Sequence, residues 1–312
     1  MDRRDVFRTV AAGVAGISGL AAPREQHPAS PSRPRFIEAG DGTRLFYRDW
    51  GTGAPIVFAA PWGLNADWWD YHMTALSEQG FRCIAYDRRG HGRSEDPGRG
   101  YDFDTLADDL LALLTQLDVS GVMLVGHSMG GAEIVRYLAR HRASRVARAV
   151  LVAPTTPFLL KTADNPDGVA KDVLEKGRDG LRKERITRIA QAASSFFGAP
   201  ANPVGAETID WWTRMMVDRC STKVMLVLHR AFTETDFRND LPRIGVPALV
   251  IHGDRDASAP LGLTGRRTHA LIPGSELIVY EGAAHGLPVT HAERLERDLT
   301  AQARLSSGSG RL

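Results

Sequence analysis

From residue 36 onward, short apolar runs alternate along the chain with longer stretches in which apolar residues recur every three or four positions. The segments 44–50, 55–60, 81–86, 122–125, 147–152, 248–252 and 276–280 have the length and the Val, Ile, Leu and Phe content of strands. The segments 68–79, 101–117 and 292–303 read as helices, and in the second of these Leu106, Leu110, Leu113, Leu114 and Leu117 fall at core spacing. Apolar strands that alternate with helices predict an α/β protein. Its sheet is mostly parallel and covered by helices on both faces, and ligands bind beyond the carboxyl ends of the strands.

One span interrupts the alternation. Residues 155–240 contain no clear strand but several short helical patterns that carry Phe158, Phe196, Phe197, Trp211, Trp212, Met215 and Met216. Inserted between two core strands, this span is expected to lie over the carboxyl edge as a small helical cap. Trp211 with Met215 and Trp212 with Met216 are i, i+4 pairs, which either line a pocket or pack the cap on the core.

The termini follow a different pattern. Arg3 and Arg4 precede an uncharged, small-residue run at 9–23 and then a Pro-rich stretch to residue 35, an arrangement that resembles a twin-arginine export signal with a linker. The expectation is an exported protein, periplasmic or secreted, whose folded domain covers 36–304 and whose Ser/Gly tail, 305–312, is flexible. The leader also changes the charge argument. It carries six Arg against two Asp and one Glu, so a chain of net charge +2 leaves −1 for everything after it. The basic balance therefore offers no case for nucleic-acid binding, and no stable membrane association is expected once the leader is removed. Hydrophobic residues make up 43% of the chain, enough for one good-sized core, which separates neither enzyme from binding protein. Cys83 and Cys220 are expected as free, buried thiols.

The candidate chemistry centres on Gly126-His127-Ser128-Met129-Gly130, a Gly-x-Ser-x-Gly pattern with a strand before it. After it, Ala132, Ile134, Val135, Tyr137 and Leu138 recur at helical spacing. Strand, sharp turn and helix together read as a nucleophile elbow that lifts the Ser128 hydroxyl clear of the sheet edge. A serine hydroxyl needs a histidine base, and the histidine needs a carboxylate to hold its tautomer. Both follow in chain order: Asp256 just past the strand 248–252, and His285 just past 276–280. Asp254 competes with Asp256, but its place directly after Gly253 suits a turn. His252, inside a strand, and His291, in the closing helix, read as packed or surface histidines; His91, among glycines, reads as part of a structural loop. An oxyanion hole needs two backbone N–H donors. Met129 supplies one, and Trp62 the other, because Pro61 has no N–H.

From about residue 36 to 303 the chain resembles the cofactor-free haloperoxidase and bacterial arylesterase branch of the α/β-hydrolase superfamily. The resemblance is carried by Asp41-Gly42-Thr43, Tyr47-Arg48-Asp49-Trp50-Gly51, Tyr86-Asp87-Arg88-Arg89-Gly90, Gly126-His127-Ser128-Met129-Gly130-Gly131, Thr233-Glu234-Thr235-Asp236-Phe237, His252-Gly253-Asp254-Arg255-Asp256 and His285-Gly286-Leu287-Pro288-Val289-Thr290-His291. It implies the α/β-hydrolase fold with an eight-stranded, mostly parallel sheet and a helical cap, and a triad of Ser128, His285 and Asp256 with Trp62 and Met129 as oxyanion donors. It also implies no metal or other cofactor and hydrolysis of small esters or lactones, in a protein whose relatives often self-associate into homo-oligomers. Some members make peracids from carboxylic acids and hydrogen peroxide, which then oxidise halide. Amide or lactam hydrolysis and ligand binding without catalysis are the further alternatives. Phe158, Trp211, Trp212, Met215 and Ala259 are the expected substrate-pocket residues. This chain has Ala60-Pro61 where the family usually has His-Gly, and Gly63 where its perhydrolysing members usually have Pro, a difference that argues against efficient perhydrolysis.

Overall fold

A computed structural model describes residues 35–308. The expected export leader and linker, up to residue 34, and the last four residues of the expected tail lie outside the described residues. Eight strands form one sheet: β1 (Phe36–Glu38), β2 (Arg44–Trp50), β3 (Pro55–Ala59), β4 (Arg82–Tyr86), β5 (Val122–His127), β6 (Val146–Val152), β7 (Ala248–Gly253) and β8 (Glu276–Tyr280). They lie in the order β1-β2-β4-β3-β5-β6-β7-β8. β4, β3, β5, β6, β7 and β8 run parallel, and β2 joins β4 antiparallel. β5 sits at the centre, between β3 and β6, and all its residues are buried.

Helices cover both faces. α1 (Asp70–Glu78) packs against the closing helix α9 (Ala292–Gly308), and α2 (Phe103–Gln116) against α3 (Met129–His141). α2 starts where the Asp102 carboxylate accepts the Thr105 N–H at 2.9 Å, a side-chain cap at an otherwise open helix start. α9 runs past the expected stop at 303 to Gly308, so the helix takes in the start of the expected tail. The short elements β1, α7 (Gly265–Leu271) and α8 (Leu287–Thr290) were not legible in the sequence pattern.

The span between β6 and β7 is helical: α4 (Lys171–Phe197), α5 (Ala206–Asp218) and α6 (Thr222–Glu234). Several short patterns resolve into one long α4 that bends at Glu184, where φ is −143° and ψ is 48°. Arg185, just past the bend, donates to the carbonyls of Val217 at 3.0 Å and Cys220 at 2.5 Å, closing the end of α5 against α4. Cys83 and Cys220 are free and buried; Cys220 lies between α5 and α6 rather than inside a helix. Among the described residues, no helix is long and apolar enough to cross a membrane.

Candidate active site

The central strand β5 ends in Ser128, whose φ of 58° and ψ of −118° are rare for a residue with a side chain and cost about 1–3 kcal/mol. Neighbouring structure holds the strained turn in place: the Ser128 N–H donates to the Val152 carbonyl on β6 at 2.8 Å. The flanking glycines are required by close approach. A β-carbon at Gly126 would stand 2.7 Å from the Gly131 nitrogen, and one at Gly130 would stand 2.8 Å from the Ala60 carbonyl oxygen. The serine is thereby aimed over the carboxyl edge of the sheet at the start of α3.

Two loops from the same edge meet it. His285, in the loop after β8, faces Ser128 Oγ with Nε2 at 2.9 Å and Asp256 Oδ2 with Nδ1 at 2.6 Å. Because a carboxylate only accepts, the short bond puts the proton on Nδ1 and leaves Nε2 to take the serine proton. Asp256, in the loop after β7, is fully engaged. Its Oδ1 accepts the N–H groups of Ser258 and Ala259, both at 2.8 Å, and its Oδ2 is also approached by His252 Nε2 at 3.2 Å. Burial pushes this carboxyl up, but the charge of His285 and the hydrogen bonds from His252 and His285 outweigh it and hold the group well below the ordinary carboxylate range. The sequence thus leads to all three residues, and the fold brings them into one hydrogen-bonded row.

The facing side is the 60–63 loop after β3. Among the described residues, neither the Trp62 nor the Met129 backbone N–H has an acceptor, so both remain free for an oxygen that develops negative charge beside Ser128. Trp62 lines the cavity at Ser128, and its indole N–H is tied to the Met225 carbonyl on α6 at 2.9 Å. A buried ion pair supports the loop. Arg88 donates to Glu133 of α3 at 2.7 Å and, through Nη2, to the Ala60 carbonyl at 2.9 Å, and the Tyr86 hydroxyl also bonds Glu133. One guanidinium therefore fixes the 60–63 loop relative to the elbow helix. Gly63 has φ +74°, which a proline ring cannot adopt.

Ser128 and His285 open into an apolar cavity of about 440 Å³ between the sheet edge and the cap. Of the five expected pocket residues only Trp212 lines it, joined by its partner Met216. Trp211, on the adjacent ridge of α5, instead stacks on Trp68 at 6.1 Å and lines a separate cleft with Arg48, Asp67 and Tyr71. Met215 and Phe158 are buried in packing, Phe158 beneath the Arg238 guanidinium at 5.2 Å. Ala259 acts through its backbone: its N–H holds Asp256, and its carbonyl accepts from His252 at 2.8 Å.

The competing residues have other work. Asp254 accepts the Gly282 N–H at 2.7 Å and so ties the β7 loop to the β8 loop. His91 is buried against Cys220, with Nε2 3.6 Å from Sγ, and His291 bonds its neighbour Thr290 at 2.9 Å. The sequence pattern does not mark His127, Arg88 or Glu133, because each acts on a partner distant in the chain, and it reads His252 as a packed or surface histidine, whereas the structure places it against Asp256. The one signal for His127 and His252 is their position beside the elbow serine and just before the acid. Among the described residues, no group of three His, Cys, Asp or Glu side chains is placed to hold a metal ion.

A mostly parallel eight-stranded sheet with a serine elbow at its centre, and an acid and a histidine at the next two strand ends, defines an α/β hydrolase. The chain belongs to that family: residues 55–292 match its model, described as the alpha/beta hydrolase fold. It is 44% identical to a non-heme chloroperoxidase of Kitasatospora aureofaciens over 83% of this chain and 95% of that protein. It is 38% identical to a bifunctional esterase/perhydrolase of Acinetobacter calcoaceticus, over 85% and 98%. Among solved structures, an esterase from Exiguobacterium antarcticum superposes with a TM-score of 0.82 at 30% identity, covering 86% of this chain and 98% of that one.

Proposed function

We propose that this chain is a serine hydrolase that cleaves a small carboxylic ester or lactone through an acyl-enzyme. The observation that carries the reading is the hydrogen-bonded row from Ser128 Oγ through His285 to Asp256, at the edge of an apolar cavity. As Oγ attacks the carbonyl carbon, His285 Nε2 takes its proton and then gives it to the leaving alkoxide oxygen, so that the alcohol departs and Ser128 is acylated. Water then attacks the acyl carbon, losing its proton to His285, and the second intermediate collapses to the acid while the proton returns to Oγ. Asp256 holds Nδ1–H and stabilises the imidazolium. The N–H groups of Trp62 and Met129 stabilise each oxyanion, about 10²–10³ in kcat per donor.

Replacing the nucleophile tests this directly. Ser128→Ala is expected to lose p-nitrophenyl acetate hydrolysis by about 10⁴ or more, and a fluorophosphonate probe is expected to label wild type but not the variant. Near-wild-type turnover by the variant would sink the reading, and failure of the probe on wild type would instead favour a ligand-binding protein. A panel of esters, lactones and amides of graded acyl size separates ester from amide or lactam substrates.

A second reading is favoured by the named perhydrolase and chloroperoxidase relatives. Hydrogen peroxide would replace water on the acyl-enzyme, turning acid and peroxide into peracid and water, and the peracid would oxidise halide. The left-handed Gly63 gives the oxyanion loop a backbone that proline does not share, which weighs against efficient perhydrolysis. Bromination of a phenolic dye in acetate with peroxide tests it, and an esterase-active sample that brominates nothing removes it. Export remains part of the proposal on the strength of Arg3-Arg4 and the run after them. Cell fractionation of the expressed full chain checks that.

A further inference from the structure

Among the described residues, Arg188 is the one permanently charged side chain on the wall of the Ser128 cavity. One side of that cavity is α4, which contributes Leu174, Gly177 and Leu181 before its bend and Arg188, Ile189 and Phe196 after it. Phe196 marks the reacting end, since its ring lies 5.4 Å from the His285 ring. Arg188 comes eight residues earlier, and at helical rise this puts it about 12 Å further along the wall.

The neighbouring arginines of α4 are all engaged. Arg178 faces Glu234 at 3.0 Å, Arg182 pairs with Asp179 at 2.5 Å, and Arg185 holds the carbonyls at the end of α5. Arg188 makes no hydrogen bond or ion pair with any described residue, although Glu184 stands four positions before it on the same helix. Its stem crosses Gly180, where a β-carbon would stand 3.1 Å from Nε, so the small residue leaves the side chain room against the first half of the helix. The helix as a whole carries seven Lys or Arg against four Asp or Glu, in a chain that is net negative after its leader, and so sets a positive field at the cavity. An unpaired guanidinium beside an apolar wall is a fork suited to a carboxylate.

We propose that Arg188 is a specificity-determining residue that receives a free carboxylate at the far end of the substrate's acyl chain, so that the preferred substrates are half-esters of medium-chain dicarboxylic acids or lactones bearing such a carboxylate. The assignment deepens the hydrolase reading and rests on it. An anchor on the acyl arm acts in both half-reactions, because the acyl group stays on Ser128 after the alcohol has left. Arg188 is exposed to solvent, so the contact is screened and its effect is several-fold rather than thousands-fold.

The test compares p-nitrophenyl hydrogen suberate with p-nitrophenyl octanoate, which has the same chain length and no anion, on the full chain. Wild type is expected to favour the anionic ester. In Arg188→Gln the anionic-to-neutral ratio of kcat/KM is expected to fall about fivefold, through KM, and Arg188→Lys should keep part of it. In wild type the same ratio should fall as sodium chloride is raised. A ratio unchanged in Arg188→Gln overturns the proposal; if that variant does not fold, a ratio insensitive to salt in wild type overturns it instead. Should neither ester be hydrolysed, the hydrolase reading fails, and binding of monomethyl suberate, followed by tryptophan fluorescence, decides Arg188 separately. Binding about fivefold weaker in Arg188→Gln supports the assignment, and equal binding overturns it.

Discussion

His127 holds the main chain of His285: its Nε2–H donates to the His285 carbonyl at 3.0 Å, while its Nδ1 accepts the Trp68 indole N–H at 3.1 Å. An indole N–H can only donate and a carbonyl can only accept, so the tautomer is set from both sides. Burial first, and then the neighbouring charge of His285, keeps His127 well below the ordinary histidine range, and it stays neutral. In the proposed mechanism, the residue beside the nucleophile therefore positions the base that serves it. His127→Leu leaves the Trp68 N–H and the His285 carbonyl without partners. Stability is expected to fall by about 2 kcal/mol and ester kcat to fall with it, both partly rescued in His127→Gln. Urea unfolding with parallel kinetics checks this, and a His127→Leu variant with wild-type kcat would remove the positioning role.

The two aspartates after β7 are expected to separate cleanly. Asp256→Asn loses the acceptor that keeps the His285 proton on Nδ1, and turnover should drop about 10⁴-fold. Asp254→Asn weakens only the tie to the Gly282 N–H, with a cost of about 1 kcal/mol and little change in kcat. Equal kinetic losses in the two variants would reverse the assignment of the acid.

Arg88 and Glu133 couple the 60–63 loop to α3. Arg88→Met strands the Glu133 charge in the interior and should cost about 3–5 kcal/mol. Changing both residues to Met removes the stranded charge and should restore much of the stability, while the Ala60 carbonyl stays unheld and kcat stays low. Full recovery of activity in the double variant would show that the loop needs no such clamp.

Acid should destabilise this fold from near neutrality. Burial, with the charge of Arg88, holds His91 down at about 3, and burial, with Arg178, holds His229 at about 4; His127 also stays low. Unfolded histidines take up protons below about 6.5, so below that pH the unfolded state binds more protons and stability falls. Asp109 runs the other way. Burial raises it to about 6 against the pull of Arg89, so it contributes a stability that is lost as pH rises from about 3.8 to 6. Burial also raises Asp240 and lowers His291, so four histidines stand against two carboxyls, and unfolding free energy should drop between pH 7 and pH 5. At pH 5, His91 alone accounts for about 2 kcal/mol of that loss. Denaturant unfolding across this range measures it, and His91→Gln should reduce the slope by about one proton.

Much of the fold was legible because its signals are local. Apolar runs marked seven of the eight strands, and the chemistry of a strand-to-helix turn marked Ser128. The chain order of acid and histidine at the next strand ends marked Asp256 and His285. The long α4 was blurred by its many charged residues and by the bend at Glu184, which breaks the spacing on which a helical pattern depends. The pocket was misjudged for a related reason. Trp211 and Trp212 are adjacent on one helix and point about 100° apart, and which of them faces the cavity is set by how α5 docks on α4, not by its own spacing. The supports of the site are decided at still longer range. His127 reaches His285 across 158 positions, and Arg88 reaches Ala60 across 28 and Glu133 across 45. The sequence by itself determined which groups could react, since that depends on residue type and on turns a few residues long. Only the tertiary structure decided what holds them within hydrogen-bond distance, because those contacts exist only after distant strands have been brought side by side.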